Sequence, residues 1–130
     1  MNIEIFTICD AATDNMGKLN VLGTFDNINS KTTPIKHPQC AIALRIRFYA
    51  IERGEHKLRV DFVNEDGKSI MPSVESKFKI NFQDEQRSGS ANLIVNIQQL
   101  EFPKFGTYSI NLAIDNKSEA SLPLNVKQLK

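Results

Sequence analysis

Cys40-Ala-Ile-Ala-Leu-Arg-Ile-Arg-Phe-Tyr-Ala-Ile51 alternates strictly through its centre: Ile42, Leu44, Ile46 and Phe48 form one row, and Arg45, Arg47 and Tyr49 the other. A period of two places successive side chains on opposite faces of a strand, one row in a core and one in water. His56–Asn64 repeats the pattern, with Leu58, Val60 and Phe62 against Lys57, Arg59 and Asp61. Between them, Glu52-Arg53-Gly54 fits a short hairpin loop with a glycine bulge. That loop sets Phe48 opposite Leu58, Ile46 opposite Val60 and Leu44 opposite Phe62. Apolar residues then pair along the whole register, so the two segments are expected to be neighbours in one sheet.

Similar segments lie on either side. Asn2–Cys9 reads as a first strand and Asp10–Lys18 as a polar turn region. Lys18–Ile28 is a second extended segment, in which Gly23 marks a bulge or a close backbone approach. Asn29–Gln39, with Pro34 and Pro38, reads as a long crossing loop. Asp66-Gly67 is a tight-turn signal, followed by a short strand over Lys68–Met71. Phe78, Ile80 and Phe82 face inward, then Leu93, Val95 and Ile97, then Tyr108, Ile110, Leu112 and Ile114, and finally Leu122, Leu124 and Val126. Gln83–Gly89 and Asp115–Ser118 are the remaining turns. Pro103-Lys-Phe-Gly-Thr-Tyr108 has the pattern of a corner whose tyrosine hydroxyl ties back to upstream backbone. Many short alternating strands at close spacing predict one all-β domain over residues 1–130, an immunoglobulin-like antiparallel β-sandwich of about seven to nine strands.

Composition narrows the function classes. With 130 residues the chain can bury a core of its own. A formal net charge of +1 lacks the basic footprint of nucleic-acid binders and the polybasic run of membrane-surface proteins. Tryptophan is absent and tyrosine occurs twice, which weakens a role in stacking sugars or single-stranded bases. No apolar run reaches the ~18 residues of a membrane helix. Met1-Asn-Ile-Glu-Ile5 has neither the basic start nor the apolar stretch of a signal peptide, and a cytoplasmic chain is expected. Cys9 and Cys40 read as two buried, reduced thiols, with a single inter-sheet disulfide as the alternative.

Motifs spread along the chain resemble a family of small bacterial β-sandwich proteins, a domain of unknown function. The residues that carry the resemblance are Cys9-Asp10-Ala11-Ala12, Gly17-Lys18-Leu19-Asn20 through Gly23-Thr24-Phe25-Asp26, His37-Pro38, Glu52 to His56, Glu65-Asp66-Gly67, and Phe102-Pro103 through Gly106-Thr107-Tyr108. The resemblance implies a compact β-sandwich and a bacterial source. It implies no activity and no functional residues.

Four constellations are candidates for chemistry. The first is catalytic. His37 and His56 lie in or beside loops, no nucleophile elbow occurs, and both thiols sit in apolar surroundings, so the chain reads as non-enzymatic and needing no cofactor. The second is a calcium site from Asp10, Asp14 and Asp26, joined by Glu65-Asp66 or Asp84-Glu85, against the plainer reading of these residues as turn formers. It would suit a small-ligand or calcium-dependent carbohydrate-binding module. The third is an anion patch of Arg45, Arg47 and Arg59. In the hairpin register Arg47 faces Arg59 while Arg45 faces Asp61. Like charges opposite each other repel, so either a neighbouring carboxylate balances them or an acidic partner does. Lys77 and Lys79 extend that row or, in the favoured reading, protect an edge strand. The fourth is a sheet edge open to another protein or to a second copy, with Ile94, Val63, Tyr49 and Ala113 as an apolar patch. The leading expectation is therefore a protein-interaction or scaffold module using a sheet edge or the arginine face.

Overall fold

Alternation along residues 40–49 does produce a strand, and its inner row is the centre of the core. In the computed structural model, which describes every residue except Asp84, that strand belongs to a set of nine among the described residues. They are β1 (Asn2–Asn15), β2 (Lys18–Thr24), β3 (Asn27–Ser30), β4 (Ile35–Tyr49), β5 (Gly54–Val63), β6 (Val74–Ile80), β7 (Ser88–Phe102), β8 (Gly106–Ile114) and β9 (Lys117–Gln128). Two sheets form, one in the order β2-β1-β4-β7 and one in the order β3-β9-β8-β5-β6, the second of them curled. Pairing is antiparallel except between β3 and β9, which run parallel. That pair departs from the all-antiparallel expectation. It arises because the chain crosses sheets after Thr24 and lays Asn27–Ser30 beside the last strand.

The predicted hairpin over residues 48–58 is not formed. β4 and β5 lie in different sheets, and a single 3-10 turn at Ala50–Glu52 carries the chain across. Arg53 donates its backbone N–H to the Ala50 carbonyl (3.3 Å), and Glu52 accepts from the Tyr49 N–H (3.0 Å). The two inner rows therefore contribute to the core from opposite sheets. Leu44, Ile46, Phe48, Leu58, Val60 and Phe62 are all at most 3% exposed. Two matching apolar rows satisfy burial equally well side by side or face to face, so matching alone could not choose. The neighbours of β5 are β6 and β8.

Other boundaries shift for local reasons. β1 continues through Asp10–Asn15 because it keeps pairing with β2, from Cys9↔Thr24 to Asn15↔Lys18. The turn is only Met16-Gly17, both with positive φ (54° and 81°). Ile35–Gln39 is strand and not loop, paired with β7 from Ile35↔Phe102 to Gln39↔Gln98. Pro38 is tolerated there because β1 pairs with β4 only as far as Ala41, leaving residues 35–39 with one neighbour. Lys68–Met71 makes a single bridge, Val63↔Ser69, and no strand. Gly23 does mark a close approach: a Cβ there would lie 2.6 Å from Asp10 Oδ2.

The corner is formed. Tyr108 donates its hydroxyl to the Lys104 carbonyl at 2.7 Å and accepts from the Lys104 N–H at 3.3 Å, while its ring meets Phe102 edge-on at 5.0 Å. Tyr108 is 4% exposed, and removing its hydroxyl deprives both the N–H and the carbonyl of Lys104 of their partner. Tyr108→Phe is expected to cost about 1–2 kcal/mol in chemical denaturation, with an unchanged denaturant slope. A midpoint equal to wild type would show that the hydroxyl does not hold the corner.

Candidate functional site

The outer face of the four-stranded sheet is where the chain departs most from a simple sandwich. Cys9, Ala41 and Ala43 point away from the main core yet are at most 1% exposed. What covers them is the β1–β2 hairpin, which curls back over its own sheet. Ala12 and Leu19 pack on this small apolar floor together with Ile94 of β7. The hairpin tip is held by polar contacts. Gly17 accepts at its carbonyl from Asn92 Nδ2 (3.1 Å) and from Arg45 Nη1 (3.4 Å), and Asp14 Oδ2 accepts from Asn92 (3.3 Å). Sequence reasoning missed this flap. Its signal was legible: small apolar residues occupied positions that alternation assigns to water.

Arg45 and Arg47 lie on this same face and share one carboxylate. The β1–β4 register shifts between Ile3 and Ile5, which leaves Glu4 as the extra residue of a bulge. A bulge re-aims the side chain it carries. Glu4 Oε1 accepts from Arg45 Nε at 3.1 Å and Oε2 from Arg47 Nε at 2.9 Å. Arg45 also donates to Asn92 Oδ1 (2.9 Å). Hydrogen bonding from Arg47, reinforced by Arg45, holds the Glu4 carboxyl below its usual range.

Arg59 belongs to the other sheet. It cannot face Arg47, because β5 and β4 are not neighbours. Its cross-strand partners are Glu75 and Ala113, and its guanidinium donates to Asp61 Oδ2 at 2.9 Å. Asp61 also accepts from the Ser73 hydroxyl. The true like-charge pair is Lys57↔Lys77, with Lys77 3.7 Å from Glu55. Lys77 and Lys79 sit on β6, an edge strand, which matches the protective role expected of them. Ile94 and Tyr49 lie in one sheet, Val63 and Ala113 in the other, so these four form no common patch.

Asp10, Asp14 and Asp26 do not converge. Asp10 packs on Gly23, Asp14 Oδ1 accepts from the Gly17 N–H of the turn (2.9 Å), and Asp26 Oδ1 accepts from Asn27 Nδ2 (2.5 Å). Among the described residues no cluster of three His, Cys, Asp or Glu could hold a metal. Asp84, a further member of that expectation, lies outside the described residues. Cys9 and Cys40 are free and buried, one under the flap and one in the main core, on opposite faces of the sheet. Burial raises both thiols, Cys40 to about 11. Neither is the thiolate that reactive chemistry needs.

Both histidines lie in strands and not in loops. His37 rests against Phe25, with ring centroids 5.4 Å apart. His56 is wedged between Phe48 and Phe78 (5.4 and 5.6 Å). Its Nδ1 meets Asp115 Oδ2 at 2.6 Å and its Nε2 the Glu52 carbonyl at 2.5 Å. Two acceptors suit a doubly protonated ring. The ring therefore ties the sheet crossing at Glu52 to the β8–β9 turn, where Asp115 and Asn116 have positive φ.

Among the described residues, one edge of the first sheet has no partner strand. β7 pairs with β4 along its whole length, from Ile35↔Phe102 to Tyr49↔Ser88, and is the last strand in its sheet. From Ser88 to Leu100 it carries neither a charge nor a proline. Leu93, Ile94 and Val95 along it are only partly buried.

A family model, "Family of unknown function (DUF6941)", matches residues 4–127. The chain belongs to the DUF6941 family. The match covers Glu4, the flap, the corner and all of β7, so each of these features lies within the DUF6941 domain. No curated protein matches the chain. Among the described residues no helix is long and apolar enough to cross a membrane.

The His56–Asp115 contact predicts a bell-shaped stability profile. Burial opposes charge on His56, but Asp115 and the Glu52 carbonyl outweigh it and raise the folded pKa above 6.5. That contribution is full below pH 6.5 and is lost as pH rises through the folded value. Burial likewise opposes charge on Asp115, yet His56 and the Lys57 N–H hold its folded pKa below 3.8. Its contribution is full above pH 3.8 and is lost as pH falls through the folded value. Melting temperature measured against pH should thus be highest between these limits, and Asp115→Asn, which keeps the turn, should flatten it. A variant profile parallel to wild type from mildly acidic to alkaline pH would refute the coupling.

Proposed function

We propose that this protein is a non-enzymatic interaction module that binds an extended segment by adding a strand to the free edge of β7. The observation that carries this reading is the contrast between β7 and the other edges. β6 presents Glu75, Lys77 and Lys79, β3 is four residues long, and β2 belongs to the curled flap and starts at Lys18. The unpaired portion of β9 contains Pro123. Each is a known way of blunting an edge. β7 has none of these protections over Ser88–Leu100, and unpaired backbone groups on such an edge hydrogen-bond an added strand.

Several observations support the rest of the reading. Each of the three arginines already bonds a carboxylate within the chain, Arg45 and Arg47 sharing Glu4 and Arg59 taking Asp61, which weakens the case for an acidic partner. Catalysis by Cys9, Cys40 or His56 is disfavoured, since the thiols are held protonated and the His56 ring has an acceptor at each nitrogen. Two unpaired thiols fit a reducing, cytoplasmic setting, and the motif resemblance favours a bacterial source. The tyrosine corner between two packed sheets favours an immunoglobulin-like relation.

The test is a comparison of variants. Tagged wild-type protein, Asn96→Lys/Gln98→Lys and Arg47→Ala/Arg59→Ala would be exposed to the same bacterial lysate. A protein captured by wild type and by the arginine variant, but lost with the lysines on β7, is the expected result. Loss with the arginine variant and retention with the β7 variant would move the site to the charged faces.

A further inference from the structure

We infer that the segment received by β7 is the β7 strand of a second copy, paired antiparallel about a twofold axis at Ile94. This rests on the strand-addition reading and adds the identity of the partner. An interface between identical copies across a twofold must be self-complementary: if one residue meets another, the reverse contact also occurs. For two identical antiparallel strands, this requires a sequence whose chemistry reads alike in both directions from its centre.

β7 has that property. Its outward row is Ser90, Asn92, Ile94, Asn96 and Gln98, and its inward row is Ala91, Leu93, Val95 and Ile97. Pairing about Ile94 sets Ile94 against its own copy, Asn92 against Asn96, and Ser90 against Gln98. The inward row then sets Leu93 against Val95 and Ala91 against Ile97. Apolar side chains meet apolar ones and uncharged polar ones meet uncharged polar ones, with Asn92 keeping its bonds to Arg45 and the flap tip. No charge faces a like charge, because this stretch has none. Moving the centre by one residue destroys the match: about Leu93 or Val95, each asparagine would still face a polar or apolar residue of its own row, but Ile94 would face Asn92 or Asn96.

Burial and backbone pairing point the same way. Leu93 and Val95 reach the main core but stay partly exposed, because among the described residues no strand lies beyond β7. A second β7 would cover them. Ile94 and the hairpin flap share the outer floor, and the flap tip carries Met16, which is 95% exposed, beside Asn92. The other end of β7 is committed within the chain, since Gln86 donates to the Ser88 carbonyl at 3.0 Å and Arg87 accepts from the Ala50 N–H at 2.8 Å. The paired stretch is therefore Ser90–Gln98, and the two sheets become one continuous eight-stranded sheet.

Two double variants test both the dimer and its register. Ser90 and Gln98 are exposed, so neither change removes core packing. Ser90→Glu/Gln98→Glu puts two carboxylates opposite each other at both ends of the pairing. Ser90→Glu/Gln98→Lys puts an ion pair at each end and shares the same residue beside Arg47. Sedimentation equilibrium of the full chain over about 1–100 µM reads the association constant, and circular dichroism confirms that each variant is folded. The wild type is expected to be in monomer–dimer equilibrium, the double glutamate to dissociate about tenfold more readily or worse, and the glutamate–lysine variant to match or exceed wild type. A wild type that stays monomeric, a dimer indifferent to both variants, or equal weakening by both would overturn the inference. The strand-addition reading fails separately: a monomeric wild type that still loses a captured protein through Asn96→Lys/Gln98→Lys keeps that reading and removes only the second copy.

Discussion

The middle of strand β4, Cys40–Leu44, is dry on both faces, and the rest of the structure depends on this. Ile42, Leu44, Ile46 and Phe48 face the five-stranded sheet, while Ala41 and Ala43 face the flap, and all are at most 1% exposed. The two rows differ in size for a physical reason. The inner row must fill the space between two sheets packed about 10 Å apart. The outer row must let a hairpin lie nearly on the backbone, so alanines, with Cys9 beside them, form the floor. With both faces covered, a slip of one residue would drive large side chains into the alanine floor and small ones into the core. The registers of β1 and β7 are therefore specified from the middle outward, and with them the Glu4 bulge and the residues presented by the free edge.

The same constraint separates what was legible in the sequence from what was not. Turn chemistry was legible because it is local: Asp66-Gly67, Asp115-Asn116 and the Tyr108 corner each depend on residues within a few positions of one another. Which side chains enter the core was legible from alternation, and Leu44, Ile46, Phe48, Leu58, Val60 and Phe62 are all buried. Sheet membership was not. Alternation says that a strand has two faces and nothing about which strand lies beside it, and the Ala50–Glu52 turn crosses the core as readily as a hairpin loop would stay in plane. The expected Arg47–Arg59 pairing failed for that reason alone. Arg47 and Arg59 were adjacent only in a hairpin that does not form, and the carboxylate that Arg45 and Arg47 share is Glu4, some forty positions away.

With Arg45, Arg47 and Arg59 each bonded to a carboxylate, the asymmetry of interest lies in the backbone. Unpaired N–H and C=O groups on an edge are a liability in any open sheet. Here charge, proline, brevity or curling limits that liability at each other edge, while the longest edge strand is left bare. A long, uncharged, β-branched edge without a partner would favour uncontrolled aggregation. Retaining one is consistent with an edge that is occupied in the working state. Membership of DUF6941 places that edge within a domain and not in an appended tail.

Whether β7 is bare in the isolated chain is tested most directly by backbone amide hydrogen exchange. In dilute protein the outward-pointing amides between Ser90 and Gln98, which alternate with those bonded to β4, should exchange far faster than their neighbours. Uniform slow exchange along β7 at every dilution would contradict the account, because it would mean that the edge is already covered within a single chain.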